Sequence, residues 1–224
     1  MPIRSKVCSV GLLAVILAFT TGTARASDNP AMDQDVLQIA NDWARIRYQV
    51  TGPAEQRREI EALAVQARDI SARYHGQVEP LLWQGIVTSE EAAMANVLHQ
   101  LGFAIAARNI FEQAQAIDPH GANGSVIMSL GVLYYRVPGF PIAFGNDKMA
   151  RQDLECALAM QPDGLDANYF YGDFLVQQGE YAKARAVLSH ALQAPVDAQR
   201  PVWDAGRRAE VRSLIAKIDQ RAAS

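Results

Sequence analysis

The segment GEYAKARAVLSHALQAP, residues 179–195, carries the pattern that decides the fold. In it a glycine, an alanine, a large apolar residue and a second alanine follow one another at spacings of five, four and three. Such spacings place side chains on one face of an α-helix, where small residues let a second helix approach and large ones fill the remaining space. The same pattern occurs three times, at Gly102, Ala107, Phe111 and Ala114, at Gly145, Ala150, Leu154 and Ala157, and at Gly179, Ala184, Leu188 and Ala191.

The distance between the copies indicates the kind of repeat. The second and third copies are 34 residues apart, the first and second are 43 apart, and a proline follows each copy. A period of 34 with this ladder is typical of tetratricopeptide repeats, in which two antiparallel helices form one unit and the proline ends the second helix. Three matching copies disfavour a generic alanine-rich bundle. We predict an all-α solenoid with clear repeats at about residues 88–119, 124–162 and 165–196.

The flanking segments predict further helices. One apolar stripe begins near Asp33, a second covers residues 60–74, and residues 80–100 read as one long helix that leads into the first copy. A final helix, at about residues 201–221, has one apolar and one charged face, as the cap of a solenoid requires. We expect residues 27–224 to form a single helical domain.

An insertion interrupts the second repeat. Gly145 follows Tyr134 by eleven residues where the repeat pattern expects four, so seven residues are added. Two prolines and two glycines within residues 137–147 exclude a continuous helix there. Phe140 and Phe144 make this segment too apolar for a solvated linker. Two interpretations stay open, a loop that packs against its own repeats and a loop that lines a surface for a ligand or partner.

The first 26 residues are typical of a secretory signal peptide. Arg4 and Lys6 precede an uncharged, mostly apolar run of about fourteen residues, which is shorter than the roughly twenty that span a membrane. Ala24-Arg25-Ala26 fits the small-x-small pattern of a cleavage site, so we predict cleavage between Ala26 and Ser27. The expected product is a periplasmic or secreted protein that does not span the membrane.

Composition excludes several classes of function. The chain has 24 acidic and 21 basic residues, and cleavage would leave 24 and 18, a formal charge of −6, which does not suit a nucleic-acid backbone. The four histidines have no metal-ligand spacing, and no nucleophile elbow or phosphate loop occurs. We therefore predict no metal, no cofactor and no enzymatic activity, since repeat solenoids usually bind.

The repeat pattern also points to residues that face the concave side. In a tetratricopeptide unit these are the first-helix positions that are not used for helix packing. They predict a groove of mixed character, which is either a merely solvated face or an interface, since tyrosine and arginine favour interfaces. The candidate binding residues are Asn96, His99, Met128, Tyr135, Arg136, Tyr169, Asp173 and Gln177, together with Phe140 and Phe144 of the insertion.

Three further segments carry a resemblance to a known family. Residues 134–147, 168–172 and 204–210 resemble exported bacterial tetratricopeptide proteins, a family similar to the T component of tripartite TRAP transporters. The resemblance implies a periplasmic helical protein. In the transporter group it further implies a pore or groove for an apolar ligand, homo-oligomerisation and a substrate-binding protein as partner.

Two functions follow as expectations. The first is a non-enzymatic protein that binds a partner protein or peptide through its concave face. The alternative is a transport accessory that binds an apolar small ligand in a pocket near Phe140, Phe144 and Tyr135, together with a substrate-binding protein. Oligomers are possible in either case.

Overall fold

Nine α-helices make up most of the part of the chain that the structure, a computed structural model, describes, residues 29–223. They are α1 (Pro30–Gln49), α2 (Pro53–Arg73), α3 (Val78–Met94), α4 (Val97–Ile117), α5 (Ser125–Arg136), α6 (Asp147–Met160), α7 (Leu165–Gln177), α8 (Tyr181–Ala191) and α9 (Pro201–Ala222). A 3₁₀ turn, Gly121–Gly124, precedes α5. Within residues 29–223 there is no strand, only an isolated bridge between Gly139 and Gly145.

The helices begin where the sequence supplies start signals. Asn29 accepts a hydrogen bond from the Met32 amide at the start of α1, and Asn146 accepts from two amides at the start of α6. A proline occupies the first position of α1, α2 and α9, where its missing N–H costs nothing. These local signals set where α1, α2, α6 and α9 begin.

Consecutive helices pack as antiparallel pairs, and glycines set their distance. A Cβ on Gly172 of α7 would lie 2.6 Å from the Cγ and Cδ2 of Leu188 on α8, and one on Gly131 of α5 would lie 2.9 Å from Leu154 Cγ on α6. Glycine at these points lets a large side chain of the second helix reach the backbone of the first. The predicted all-α solenoid of helix pairs is confirmed.

One predicted helix is wrong. Residues 80–100 form two helices, because α3 ends at Met94 and α4 begins at Val97. Ala95 and Asn96 between them both have extended backbone, and asparagine favours the position before a helix. Gly102, which the ladder predicts as a turn glycine, therefore lies inside α4.

The first helix of the solenoid meets the last. Asn41 of α1 donates a hydrogen bond of 3.4 Å to the Gln199 carbonyl, and Arg47 of α1 lies 3.1 Å from Glu210 of α9. Gly206 of α9 touches Tyr48, since a Cβ there would lie 2.5 Å from the tyrosine ring. The superhelix therefore closes on itself, and its concave face becomes a bounded space.

Residues 1–28 and 224 lie outside the described residues, and with them the predicted signal peptide and its cleavage site. Among the helices of residues 29–223, none combines the length and apolar character needed to cross a membrane.

Candidate functional site

The concave face holds a cavity of about 750 Å³, here called the concave cleft. Its walls come from α1, α3, α5, α7 and α9, with the first turns of α4 and part of the inserted loop at one end. Because α1 contacts α9, these two helices enclose the side of the cleft that would face solvent in an open solenoid. A volume of this size is within the range of pockets that hold small ligands or short segments of a partner.

All three tryptophans of the chain line the concave cleft. Trp43 comes from α1, Trp83 from α3 and Trp203 from α9, and the rings of Trp43 and Trp83 meet edge to face at 6.1 Å. The indole N–H of Trp43 is buried without a hydrogen-bond partner among the described residues. Trp43 and Trp203 are buried, at 6% and 7% exposure, and form the floor of the cleft, whereas Trp83 is partly exposed to it.

Four arginines also line the cleft, and most of them stack on aromatic rings. The Arg200 guanidinium lies 4.0 Å above the centre of Trp203, and that of Arg207 lies 4.2 Å above Tyr169. Arg136 lies 5.9 Å from the centre of Phe170. Stacked guanidinium groups keep apolar surface and charged donors side by side, which is the mixture found at recognition sites. The fourth arginine that lines the cleft is Arg47 of α1.

Arg207 joins three helices at the closed side of the cleft. Its side chain is 7% exposed, and its guanidinium lies 2.6 Å from Asp166 of α7 and 2.6 Å from Glu210 of α9. Glu210 in turn accepts from Arg47 and Tyr48 of α1. A buried guanidinium requires such compensation, and the two carboxylates and the charge network supply it. The network holds the closing helices in place.

A second polar group lies between α5 and α7. The Tyr135 hydroxyl donates a 2.7 Å hydrogen bond to Asp173, and Arg136 contacts the same carboxylate at 2.8 Å. Burial raises the pKa of the Tyr135 hydroxyl above its usual range, so it stays protonated and acts as the donor. The group fixes Arg136 at the cleft, where its side chain keeps 47% exposure.

The two ends of the concave cleft differ in character. One end lies at the amino-terminal ends of α5, α7 and α9 and includes Arg200 and Asp166. The other end, its apolar mouth, is formed by Val97 and Leu101 of α4 with Ile142 of the inserted loop. Val97 and Ile142 are 83% and 73% exposed. Arg136, the last residue of α5, also lies toward this mouth, so guanidinium groups occur at both ends of the cleft while the exposed apolar side chains are concentrated at the mouth.

The structure brings only some of the predicted binding residues to the cleft. Met128, Arg136 and Tyr169 line it, and Tyr135 and Asp173 lie behind them as the support of Arg136. Gln177 is exposed at the end of α7 and does not line the cleft.

Asn96 and His99 lie elsewhere. Both are exposed at the start of α4, where they bind each other at 2.8 Å, because the turn between α3 and α4 falls at residues 95–96 and puts them outside the first helix of the repeat.

The inserted loop divides into an anchored and an exposed part. Phe144 packs against Tyr134, with ring centres 6.2 Å apart, and lies under the Arg108 guanidinium at 4.4 Å. Phe140 is 92% exposed. None of Phe140, Phe144 and Tyr135 lines the concave cleft, so they form no common pocket there.

Sequence reasoning missed the closed side of the cleft. Arg47, Trp203 and Arg207 belong to α1 and α9, which the periodicity predicts only as a flanking helix and a cap. The one signal in the sequence is that the three tryptophans fall on three different predicted helices. Their clustering would have pointed to α1 and α9 as walls of a common site. In residues 29–223 no three His, Cys, Asp or Glu side chains are grouped as metal ligands.

Comparisons with known proteins agree with the repeat pattern. Residues 148–218 match the tetratricopeptide repeat family model. The fold is similar to TTC0263, a thermophilic tetratricopeptide protein of Thermus thermophilus, with a TM-score of 0.57 at 14% identity over 83% of this chain and 100% of that one. MamA of AMB-1 follows with a TM-score of 0.44 at 16% identity over 80% and 94% of the two chains.

No curated protein sequence matches the chain. At 14% identity the likeness to the Thermus protein concerns the fold alone. Together with the packing of the helix pairs, it shows that this chain is an all-α helical repeat solenoid, and residues 148–218 are similar to the tetratricopeptide repeat family model.

Proposed function

We propose that this protein is a non-enzymatic binding protein that takes a partner protein or peptide in its concave cleft. The observation that carries the proposal is that aromatic side chains and arginines line one cavity together, and that Trp83, Phe170, Arg136 and Arg200 remain partly exposed to it. These residue types dominate the energetics of protein interfaces, and the tetratricopeptide fold typically mediates such contacts.

The shape of the cleft indicates how a partner would enter. An α-helix is about 10 Å wide, so a cavity of about 750 Å³ holds no more than about two of its turns. A short segment of the partner, rather than a long helix, is the occupant that fits. The exposed Val97 and Ile142 at the apolar mouth would contact the part of the partner that stays outside.

The test is a co-purification with a matched pair of variants. Val132 is half-buried on the wall of the cleft, whereas Val65 is 49% exposed on α2 and lies outside it. Val132→Arg should remove a protein that co-purifies from a cell-envelope extract, and Val65→Arg should retain it, at equal far-ultraviolet dichroism. Retention of the partner by both variants would contradict the proposal.

A second candidate is an apolar small ligand, as in the transport accessory proteins that the chain resembles. The closed side of the cleft favours it, because a bounded volume of this size suits a small molecule. In this case native mass spectrometry of the purified protein should detect a bound small molecule, which Val132→Arg should lose. Pure protein without such a species, together with a recovered protein partner, would exclude this candidate.

We also propose that the protein acts after export, with cleavage between Ala26 and Ser27. The charge and length of the amino-terminal segment support this. Intact-mass analysis of the periplasmic fraction should give a chain that begins at Ser27. A chain that keeps residues 1–26 or stays in the cytoplasm would overturn it.

A further inference from the structure

Glu90 of α3 is a carboxylate without a counterion in the concave cleft. The residue is partly buried and lines the cleft, and it forms no hydrogen bond or ion pair with any residue of the described range 29–223. It belongs to a stripe whose spacings of three, four and three put Trp83, Ile86, Glu90 and Ala93 on one face of the helix, and all four line the cleft. The charge is therefore set among apolar side chains on the inner wall.

The arginines that line the cleft do not supply the missing charge, because each of them is paired within the protein. Each guanidinium lies within 3.1 Å of a carboxylate, in the pairs Arg47–Glu210, Arg136–Asp173, Arg200–Asp197 and Arg207–Asp166. The charges of these four pairs cancel. Among the charged side chains of residues 29–223 that line the cleft, Glu90 is the one whose charge is not compensated. The cleft therefore keeps one negative charge, although four arginines line it.

The end of α3 adds to this negative potential. Glu90 lies four residues before Met94, where the helix ends, and the last turn contains no basic residue. Glu91 adds a second acidic side chain to the same part of the helix. The carboxyl-terminal end of a helix carries a partial negative charge, which favours a cation and disfavours a carboxylate. A positive group beside Glu90 would therefore interact favourably with both the carboxylate and the helix end.

A segment that fills the cleft would remove water from Glu90. A charge that loses its hydration without gaining a counterion or a hydrogen-bond donor destabilises the complex. We propose that the segment that enters the cleft carries a lysine or arginine, which pairs with Glu90, next to apolar residues that pack on Ile86 and Trp83. This inference rests on the proposed function, since it names the chemistry of the partner at the same cleft.

The neighbours of Glu90 favour a long cationic side chain over a metal ion. A metal ion requires several ligands, and within residues 29–223 no three His, Cys, Asp or Glu side chains are placed to hold one. Lysine and arginine carry their charge at the end of an aliphatic stem, which would pack against Ile86, one turn from Glu90. Trp83 lies about 10 Å from Glu90 along the helix, so it would contact an apolar residue about three positions away in an extended segment.

The experiment selects peptides from a phage-displayed library of random seven-residue sequences on the immobilised protein, recovered from expression of the whole chain. Clones that also bind the Val132→Arg variant are removed, which leaves those that bind in the cleft. Selection on the wild type should enrich lysine or arginine beside apolar residues. Selection on Glu90→Lys should enrich aspartate or glutamate in place of that cation, because the charge on the wall of the cleft has changed sign.

Synthetic peptides with the selected sequences give the size of the effect by fluorescence anisotropy. Glu90→Gln should weaken the binding of a lysine peptide by about fivefold or more, and a glutamine in place of the peptide's lysine should weaken it by a similar factor. The two changes together should weaken it little further, because both remove the same contact. A peptide with glutamate in place of the lysine should bind Glu90→Lys to within about threefold of the original pair.

Glu79 provides the control. It lies on the same helix, is partly buried and has no ion pair among residues 29–223, but it does not line the cleft. Glu79→Lys and Glu79→Gln should leave selection and affinity unchanged, and all variants should keep the wild-type far-ultraviolet dichroism. Cleft-binding peptides without a cation, or an affinity that responds to Val132→Arg but not to Glu90→Gln, would overturn this inference and leave the proposed function standing. A library without any clone specific to the wild-type cleft would overturn both.

Discussion

The hydroxyl of Tyr48 on α1 donates a 3.2 Å hydrogen bond to the carboxylate of Glu210 on α9, 162 residues along the chain. Burial raises the pKa of the Tyr48 hydroxyl above its usual range, so it remains a donor at physiological pH. The bond lies at the point where the first helix of the solenoid meets the last. The closed side of the concave cleft depends on this junction.

Gly206→Val should break the junction. Its added side chain would overlap the Tyr48 ring, which a Cβ alone approaches to 2.5 Å. We expect the free energy of unfolding to fall by about 1–3 kcal/mol in urea denaturation, the usual cost of overpacking. The matched change Ala209→Val, at an exposed position of the same helix, should cost less than about 1 kcal/mol. Equal costs at the two positions would refute a tight junction.

Arg207→Met should destabilise the protein far more than Arg185→Met. The first leaves Asp166 and Glu210 without their buried counterion, and such losses cost about 3 kcal/mol. Arg185 forms an exposed pair with Asp219, with both side chains about half accessible, and such solvent-screened pairs contribute little to stability. Urea denaturation of both variants measures the difference. An Arg207 variant no weaker than the Arg185 variant would mean that the network is dispensable.

The two phenylalanines of the inserted loop should respond differently to truncation. Phe144→Ala removes the contacts with Tyr134 and Arg108 and should lower the free energy of unfolding by about 1–2 kcal/mol. Phe140→Ala, at a side chain that is 92% exposed, should change it by less than about 0.5 kcal/mol. Thermal unfolding of the pair tests this. A large effect of Phe140→Ala would show that the loop tip is buried in solution.

The stability of the protein should depend on pH through Asp153. Burial against α5 raises the pKa of this carboxyl to about 6, above its ordinary value of 3.8, so the folded state holds the proton more tightly than the unfolded state. The resulting stabilisation is fully present below about pH 4 and is lost as the pH rises through 6. Asp153→Asn should therefore become more stable relative to wild type between pH 4 and pH 7.

Urea midpoints of both proteins at pH 4, 5, 6 and 7 provide the measurement. A difference between the two proteins that stays constant over this range would contradict the assignment to Asp153.

The repeat ladder predicts the solenoid because its residues perform the packing themselves. Leu154 and Leu188 belong to the ladder in the sequence, and in the structure they pack closely against Gly131 and Gly172 of the first helix of their own pair. Local spacing is sufficient for this, since both helices of a pair are neighbours along the chain.

The same ladder misplaces the turn in the first repeat. Gly102 continues the glycine series, but the preceding residues contain neither proline nor a charge cluster to stop α4 from extending back to Val97. Helix propensity prevails over the repeat at this point, and two candidate site residues, Asn96 and His99, are displaced with the turn. In the second and third repeats, Gly145 and Gly179 do lie in the turn between the two helices. Arg136 and Tyr169, which are predicted from these two repeats, both line the cleft.

The remaining part of the candidate site follows from a contact that periodicity does not encode. Arg47 and Trp203 reach the cleft only because α1 and α9 meet, and a contact between residues more than 150 positions apart leaves no spacing to detect. The curvature that brings the ends together is a sum of small rotations over all repeats.

The curvature of the solenoid limits which changes of chain length the fold can tolerate. An open solenoid gains or loses a terminal unit at little cost, since each unit contacts only its neighbours. Here Tyr48 fits against Gly206 only at one total rotation, so deletion or duplication of a single helix pair would separate the ends and expose Trp43 and Trp203. The closure therefore ties the fold to this number of helix pairs, and added residues are better tolerated in the loops, where they leave the contact between α1 and α9 unchanged.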